Sequence, residues 1–161
     1  MIVELNAFDL LFASMYAERM HCGKDPATQS KKYSKDKSEW QLVYEGALGE
    51  VAVQKYTKCK LDLTVKKHGS NVEDTFIRGV SCQIKTLTFR GKDPDLYFDD
   101  ESCLNAQAAV GCLLLSPVTV NVAGFMMKEE FMERCFVTNY GCGDRIAVKA
   151  AWLHPLEEIG K

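Results

Sequence analysis

Three polar side chains that suit a metal-dependent hydrolase, Asp74, Gln83 and Lys85, lie within a stretch of twelve residues. Carboxylate and amide oxygens are hard ligands of the kind that Mg²⁺ prefers, and proteins commonly give this ion only one or two carboxylates. A lysine beside such an ion can orient the attacking water or offset negative charge on a phosphate. The set is compatible with phosphodiester hydrolysis if the fold brings the three side chains together. By itself, the Gln-x-Lys pair is equally typical of the polar face of an ordinary half-exposed strand.

The elements that must position these residues are the two strands of a predicted hairpin. Residues 74–77 and 80–87 alternate between polar and apolar, and the Arg-Gly pair between them is typical of a two-residue turn. With this turn, Asp74 lies opposite Gln83 and on the same face, and Lys85 shares that face because it lies two residues further on. The predicted core face of the hairpin carries Ile77, Val80, Cys82 and Ile84.

A second carboxylate can come from the clearest helix of the chain, predicted at residues 39–57. Gly46 and Gly49 lie inside it, and each glycine costs a helix up to about 1 kcal/mol relative to alanine. Close approach of the helix to a sheet is the usual reason for such glycines. Glu50, at one edge of the apolar stripe, is the leading candidate. Glu45 lies about 140° away around the axis, so the two acids are not expected to share one ion.

The predicted metal site therefore consists of oxygen ligands only. Its members are the side chains of Glu50, Asp74 and Gln83 and the main-chain carbonyl of Ile84. Such a set suits Mg²⁺ or Mn²⁺, with water completing the coordination sphere.

The remaining pattern predicts an α/β fold with a central mixed sheet flanked by helices. Further helices are predicted at 5–20, 127–135 and 155–159, and further strands at 60–67, 108–115, 117–124 and 146–152. Loops are predicted at 24–38, 68–71 and 90–105. The last of these loops is rich in acids and is expected to be solvated, with a second metal site as the sharper alternative.

Length and composition favour one domain, residues 1–161, of a cytosolic protein. The 161 residues can bury a core, and 47% of them are hydrophobic. No apolar run approaches the roughly 20 residues that span a bilayer, and the N-terminus lacks a basic n-region, so neither a membrane span nor a signal peptide is expected.

The seven cysteines are scattered and lack the spacing of a zinc site, which favours reduced thiols. An iron–sulfur cluster is the alternative, although the clustered cysteines it needs are missing.

The charge distribution bears on the kind of partner. A net charge of −2 does not by itself favour nucleic acid. However, residues 24–92 hold 14 basic and 8 acidic residues, and this local excess is compatible with binding a phosphate backbone. An unevenly charged, solvated surface explains the same distribution equally well.

An ordered combination of motifs resembles the PD-(D/E)XK nuclease superfamily, whose members have the restriction-endonuclease-like fold. The matching residues are Gly46-Ala-Leu-Gly-Glu50, then Asp74, then Cys82-Gln-Ile-Lys-Thr86. Residues 122–131 resemble the Gly-aromatic step and acidic helix that follow in small phage and bacterial members, and residues 152–156 resemble their closing segment. The resemblance covers residues 40–159, and the chain before residue 40 is unmatched.

The resemblance implies a role for each site residue. Glu50 would help to bind the metal or its water, Asp74 would be the central ligand, and Lys85 would be the catalytic lysine. Gln83 occupies a position that is usually acidic, and Mrr-type restriction enzymes resemble this chain in having glutamine there. The glutamine is therefore compatible with activity, although it lowers the negative charge of the site. The proline that commonly precedes the aspartate is replaced by Glu73.

The function that follows is a Mg²⁺- or Mn²⁺-dependent nuclease acting on DNA. An endonuclease is favoured over an exonuclease because nothing resembles a ring-forming or helicase-coupled extension. The resemblance suggests a phage or mobile-element protein in a bacterial cytoplasm, and homodimers are common among relatives that cut both strands. One alternative is a catalytically inactive nuclease-fold module that binds DNA or protein. Another is an unrelated cytosolic α/β protein, such as an acidic inhibitor.

Overall fold

A computed structural model describes residues 1–23, 37–63, 73–88, 93–99, 101–139 and 143–161. Its α-helices are α1 (Ala7–Cys22), α2 (Glu39–Thr57) and α3 (Lys128–Arg134). Its strands are β1 (Ile2–Glu4), β2 (Thr75–Ile77), β3 (Val80–Thr88), β4 (Asp95–Phe98), β5 (Ala108–Ser116), β6 (Thr119–Met127), β7 (Phe136–Asn139) and β8 (Asp144–Lys149). Short 3₁₀ turns occupy Glu101–Cys103, Ala150–Trp152 and Leu156–Glu158.

The strands form two sheets. The main sheet has five strands in the order β1-β6-β5-β3-β2, and the second sheet has three in the order β4-β8-β7. In the main sheet β3 and β5 are parallel and the other neighbours are antiparallel. This arrangement confirms the α/β class and the mixed central sheet. The second sheet is an addition that the sequence pattern did not predict.

The two faces of the main sheet pack against different layers. On one face, residues such as Ile84 and Val110 pack with buried residues of α1 and α2 in one hydrophobic cluster. On the other face, Ala109 and Met126 pack with residues of β4, β8 and α3 in a second cluster. The main sheet is therefore the middle layer, with helices on one side and the second sheet on the other.

Local side-chain bonds set where the two long helices begin. At α1, the Asn6 side chain accepts hydrogen bonds from the N–H groups of Phe8 and Asp9, and the Asp9 carboxylate accepts one from the Asn6 N–H. At α2, the Ser38 hydroxyl accepts a bond from the N–H of Gln41. Such caps satisfy N–H groups that have no partner within the helix. Both helices predicted for these regions are confirmed, the second with the predicted bounds.

The close approach of α2 to the main sheet is confirmed at Gly49. A Cβ at this position would overlap Oγ1 of Thr86 and come within 3.2 Å of Cβ of Cys112. At Gly46, one turn earlier, a Cβ would meet nothing within 4 Å. Only the second glycine is therefore required by packing.

The hairpin has the predicted register. Thr75 pairs with Cys82 and Ile77 with Val80. The backbone φ angles are 49° at Arg78 and 85° at Gly79, which is the left-handed geometry that a two-residue turn of this kind requires. Ile77, Cys82 and Ile84 are buried in the core shared with the helices, as predicted for this face.

Two segments that carry the resemblance lie side by side. The N–H of His154 donates to the carbonyl of Phe125 at 2.8 Å, and the N–H of Phe125 donates back at 2.9 Å. Gly124 permits this contact, because a Cβ there would overlap the carbonyl oxygen of His154. Nε2 of His154 also lies 2.7 Å from the carboxylate of Glu130 on α3. The end of β6, α3 and the closing segment thus form one unit.

Several predicted elements were wrong. The loop predicted at 90–105 contains β4 and a 3₁₀ turn, because Leu96 and Phe98 alternate with polar residues and are buried against the main sheet. In the described part of the strand predicted at 60–67, only Leu61 forms an isolated bridge, to Thr75. The last predicted strand ends at Lys149 and continues as a 3₁₀ turn.

Other predictions fall partly or wholly outside the described residues. They are the loop at 24–36, residues 64–67 of the predicted strand, the turn at 68–71, and residues 89–92. β1 and β7, which have three and four residues, were not predicted. Within the described part of the chain, no helix is long and apolar enough to cross a bilayer.

Candidate functional site

Asp74 lies just before β2, where the antiparallel pairing with β3 ends. Its N–H donates to the carbonyl of Cys82 at 2.8 Å. Oδ2 of Asp74 accepts a hydrogen bond from the N–H of Ile84 at 2.6 Å. The N–H and C=O groups of one strand residue point to the same side of the strand, so the Ile84 carbonyl also points toward this edge. The hairpin therefore brings a carboxylate and a main-chain oxygen to one edge of β3.

Gln83 is a buried polar residue without an evident structural role. Its side chain is only 4% exposed. Gln83 follows Cys82, the last β3 residue that pairs with β2, and lies on the opposite face of β3 from Cys82 and Ile84. Among the described residues, Oε1 of Gln83 has no hydrogen-bond partner. A buried, unpaired amide oxygen costs about 1–3 kcal/mol, so a water molecule or a cation is expected to bind it.

Lys85 points to the same face of β3 as Gln83, toward the second sheet. Its Nζ lies 5.1 Å from the ring centroid of Phe98, which belongs to β4. A cation over an aromatic face is held by the ring's negative electrostatic potential. Phe98 is itself buried, in edge-to-face contact with Phe131. The lysine is therefore held against a rigid part of the second sheet.

Glu50 approaches the site from α2 and is partly buried. Burial, followed by the negative charge of Asp74, raises the pKa of Glu50 to about 8, against the opposing effects of the Tyr16 hydrogen bond and the positive charge of Lys85. Asp74 and Lys85 therefore each lie within electrostatic reach of Glu50. Burial and the charges of Glu50, Asp74 and Asp62 also raise the pKa of Tyr16.

The structure brings some of the predicted site residues together and separates others. Asp74 and Ile84 are joined by a hydrogen bond, and the charges of Asp74 and Lys85 both act on Glu50. The side chains of Gln83 and Lys85 lie on the face of β3 turned toward the second sheet, whereas α2, which carries Glu50, packs on the other face. Glu45 lies apart, as expected. It forms an ion pair with Lys37 at 2.6 Å and accepts a hydrogen bond from Thr88, which ties the start of α2 to the end of β3.

The donor set fits a hard divalent cation. In the ranges that the structure describes, no group of three or more His, Cys, Asp or Glu side chains is arranged to hold a metal ion. The residues predicted for the site offer instead two carboxylates, one amide oxygen and one carbonyl oxygen. Oxygen-only sets with few carboxylates suit Mg²⁺ or Mn²⁺, and the unpaired oxygen of Gln83 is a donor that such an ion would satisfy.

Three described acids of the segment 93–101, Asp93, Asp95 and Asp99, have partners on β8. Asp95 lies 2.7 Å from Lys149, and Asp99 lies 3.3 Å from Arg145, both basic residues of β8. These ion pairs join β4 to β8. Asp95 and Asp99 therefore have a structural role, in place of the solvated loop that the sequence predicted.

Two residues near the site were not identified from the sequence. Tyr16 donates a hydrogen bond to Glu50, and Phe98 lies beneath Lys85. The only signal for Tyr16 was a large polar-tipped residue on the alanine-rich side of α1. For Phe98, the signal was the alternation of Leu96 and Phe98, which the surrounding acids obscured.

Replacing Glu50 with glutamine is expected to stabilise the metal-free protein at alkaline pH. The pKa of Glu50 is about 8 in the folded protein, against a usual value of 4.5. At pH values between these two, Glu50 holds a proton in the folded protein that it releases in the unfolded chain. Stability therefore falls as the pH rises through this window, and it stays low above it. Glutamine removes the buried charge and can still accept the Tyr16 hydrogen bond. At pH 8.5 in EDTA, we expect a gain of about 1–2 kcal/mol, or about 3–6 °C in Tm.

Thermal unfolding of wild type and Glu50→Gln at pH 5 and pH 8.5 checks this expectation. The two proteins should unfold at similar temperatures at pH 5 and diverge at pH 8.5. Glu45→Gln is the matched control on the same helix, and it should not stabilise because Glu45 is paired with Lys37. A Glu50→Gln protein no more stable than wild type at pH 8.5 would contradict the buried-charge interpretation.

Comparisons with known proteins leave the site to be interpreted from its own residues. No protein-family model matches the chain, and neither a curated protein nor a solved structure matches it. The chemistry of the described residues therefore carries the functional conclusion.

Proposed function

We propose that this protein is a Mg²⁺- or Mn²⁺-dependent deoxyribonuclease of the PD-(D/E)XK type, with a restriction-endonuclease-like fold and endonuclease activity. One observation carries the proposal. At the open end of the hairpin, the Asp74 carboxylate is bonded to the Ile84 N–H, and the preceding residue, Gln83, has a buried oxygen that no described residue bonds. Lys85 supplies a positive charge for phosphodiester hydrolysis, and Glu50 supplies a second carboxyl group that a bound cation would ionise.

Each residue of the site has a role in this chemistry. Asp74, Glu50, Gln83 and the Ile84 carbonyl would hold the metal ion. When bound, the ion supplies positive charge that polarises the phosphate and acidifies a water molecule. The positive charge of Lys85 stabilises the negative charge that develops on the phosphate oxygens and helps to orient the water.

The reaction itself is an in-line displacement at phosphorus. Water adds its oxygen to phosphorus and loses one proton, and the bond from phosphorus to the 3′ oxygen breaks. The resemblance to the superfamily supports this choice of leaving group. It likewise supports an origin in a phage or mobile element, action in a bacterial cytoplasm, and dimerisation to cut both strands. The excess of basic residues between 24 and 92 supports DNA as the substrate.

Replacing Asp74 with asparagine is expected to reduce plasmid cleavage at least about 100-fold. Asparagine can still accept the hydrogen bond from Ile84, so the hairpin is retained while one negative metal ligand is lost. The measurement is nicking and linearisation of supercoiled plasmid with Mg²⁺, with Mn²⁺ or with EDTA. Asp144→Asn is the matched control, because Asp144 is an exposed acid on β8 that accepts a hydrogen bond from Asn139.

Metal-dependent cutting that is lost in Asp74→Asn and kept in Asp144→Asn supports the proposal. Cutting that persists in EDTA, or equal cutting by Asp74→Asn and wild type, argues against it. If wild type cuts neither supercoiled, linear nor single-stranded DNA, the second candidate is favoured: a nuclease-fold module that binds DNA or protein without cleaving. The observation in favour of that candidate is Gln83, which occupies a position that is usually acidic in the superfamily. A module of this kind is expected to bind DNA with an affinity that does not depend on Mg²⁺.

A further inference from the structure

Tyr16 of α1 makes the one side-chain hydrogen bond to Glu50 that the described residues show. The tyrosine hydroxyl donates to Oε2 of Glu50 at 2.7 Å, and it lies 3.4 Å from the carbonyl oxygen of Asp62. A hydroxyl has a single proton, so the shorter contact, to the carboxyl oxygen of Glu50, is the stronger bond. Tyr16 therefore holds one of the two carboxylate oxygens of Glu50.

The tyrosine is itself held rigidly. It is 7% exposed and belongs to the core cluster that α1 and α2 share with the main sheet. Its ring is nearly parallel to that of Phe12, at an interplanar angle of 13° and a centroid distance of 6.5 Å. A side chain packed in this way has little freedom to move its hydroxyl. The direction of the Tyr16 bond therefore restricts the orientation of the Glu50 carboxylate.

This contact comes from outside the part of the chain that carries the nuclease-like motifs. α1 ends at Cys22, whereas the motifs begin with the glycines of α2. Groups that bond to a metal ligand orient it, and losing such a group typically weakens metal binding 10- to 100-fold. The bond to Oε2 leaves Oε1 of Glu50 for a metal ion or its water.

We propose that Tyr16 is a positioning residue that fixes Oε2 of Glu50 and so presents Oε1 to a divalent cation. This inference rests on the proposed function, because it assigns α1 to the metal site. Tyr16 acts only through Glu50. Its loss should therefore change the affinity for the cation more than the rate of cleavage once the cation is saturating.

The test uses Mn²⁺ as the probe and the full-length protein. We expect Tyr16→Phe to weaken Mn²⁺ binding about 10-fold, measured by calorimetry and by the electron paramagnetic resonance of free Mn²⁺. The Mn²⁺ concentration that gives half-maximal plasmid nicking should rise by a similar factor. The nicking rate at saturating Mn²⁺ should stay within a few-fold of wild type. Should Tyr16→Phe be partly unfolded, as judged by circular dichroism, the Mn²⁺ titrations of both proteins are repeated in sucrose, which favours the folded state.

A second tyrosine supplies the matched control. Tyr56 donates a hydrogen bond from α2 to the carboxylate of Glu157, so Tyr56→Phe removes the same kind of bond elsewhere. It should leave Mn²⁺ binding and nicking unchanged. In a Glu50→Gln background, adding Tyr16→Phe should weaken Mn²⁺ binding no further, because the group through which Tyr16 acts is already altered.

The outcomes separate this inference from the proposed function. If wild type binds Mn²⁺ and cuts DNA, and Tyr16→Phe does both equally well, the role of Tyr16 is rejected and the nuclease stands. A Tyr16→Phe protein with a lower Tm but unchanged Mn²⁺ affinity also rejects it, because the tyrosine is then only structural. If wild type neither binds Mn²⁺ nor cuts DNA, both proposals fail together.

Discussion

Replacing Lys85 with methionine is expected to lower the rate of metal-dependent DNA cleavage by about 100- to 1,000-fold. Methionine has a similar length and can pack on the Phe98 ring, where the lysine lies, but it carries no charge. Two effects of that charge are lost. The developing negative charge on the phosphate is no longer offset, and the pKa of Glu50, which Lys85 lowers, rises further.

Stability should change little in this variant, by about 1 kcal/mol or less, since a sulfur–aromatic contact replaces the cation–π contact. Initial rates of plasmid nicking at saturating Mg²⁺, with Tm measured in parallel, separate the chemical effect from unfolding. Lys149→Met is the matched control, because Lys149 lies over the Phe136 ring at 5.4 Å in the second sheet. Should Lys85→Met cut at the rate of Lys149→Met, Lys85 takes no part in the reaction.

Replacing Gly49 with alanine is expected to destabilise the protein by about 3 kcal/mol or more. The new methyl group would overlap Oγ1 of Thr86 and crowd Cβ of Cys112, both on the main sheet, so α2 would have to move away. Overpacking of this kind typically costs 1–3 kcal/mol, and more where rigid elements meet. Because Glu50 is the next residue, the same displacement would disturb the candidate site.

Gly46→Ala, on the same helix, is expected to have the opposite effect on the stability of the protein. A methyl group there meets nothing within 4 Å, so the better helix propensity of alanine should stabilise the protein by about 0.5–1 kcal/mol. Urea unfolding of the two variants beside wild type measures both effects. Equal stability of the two variants would show that α2 does not pack closely on the sheet at Gly49.

The features that sequence analysis predicted well are set by short-range interactions. The bounds of α2 follow from the Ser38 cap and a clear helical period, and the hairpin register follows from a turn whose residues adopt positive φ. Each depends on groups only a few residues apart. Local backbone preferences and alternation therefore suffice to place Asp74, Gln83 and Lys85 on one hairpin.

The features that it missed depend on distant partners. β1 and β7 are too short to show a pattern, and each exists because a neighbouring strand pairs with it. The acids of β4 suggested a solvated loop, but its apolar residues are buried by the main sheet and its acids are paired with β8. The parallel pairing of β3 with β5 likewise joins segments that are far apart in the chain.

The residues of the candidate site fall into the same two groups, those placed by local interactions and those placed by distant partners. The sequence by itself determined the hairpin half of the site, because register and turn geometry are local properties. Only the tertiary structure decided the environment of those residues. Tyr16 reaches Glu50 across 34 residues, and Phe98 lies beneath Lys85 from another sheet. The raised pKa of Glu50 arises only when α1 and α2 bury it, and among the described residues Gln83 is left with a buried oxygen without a partner only because the layers around β3 exclude water.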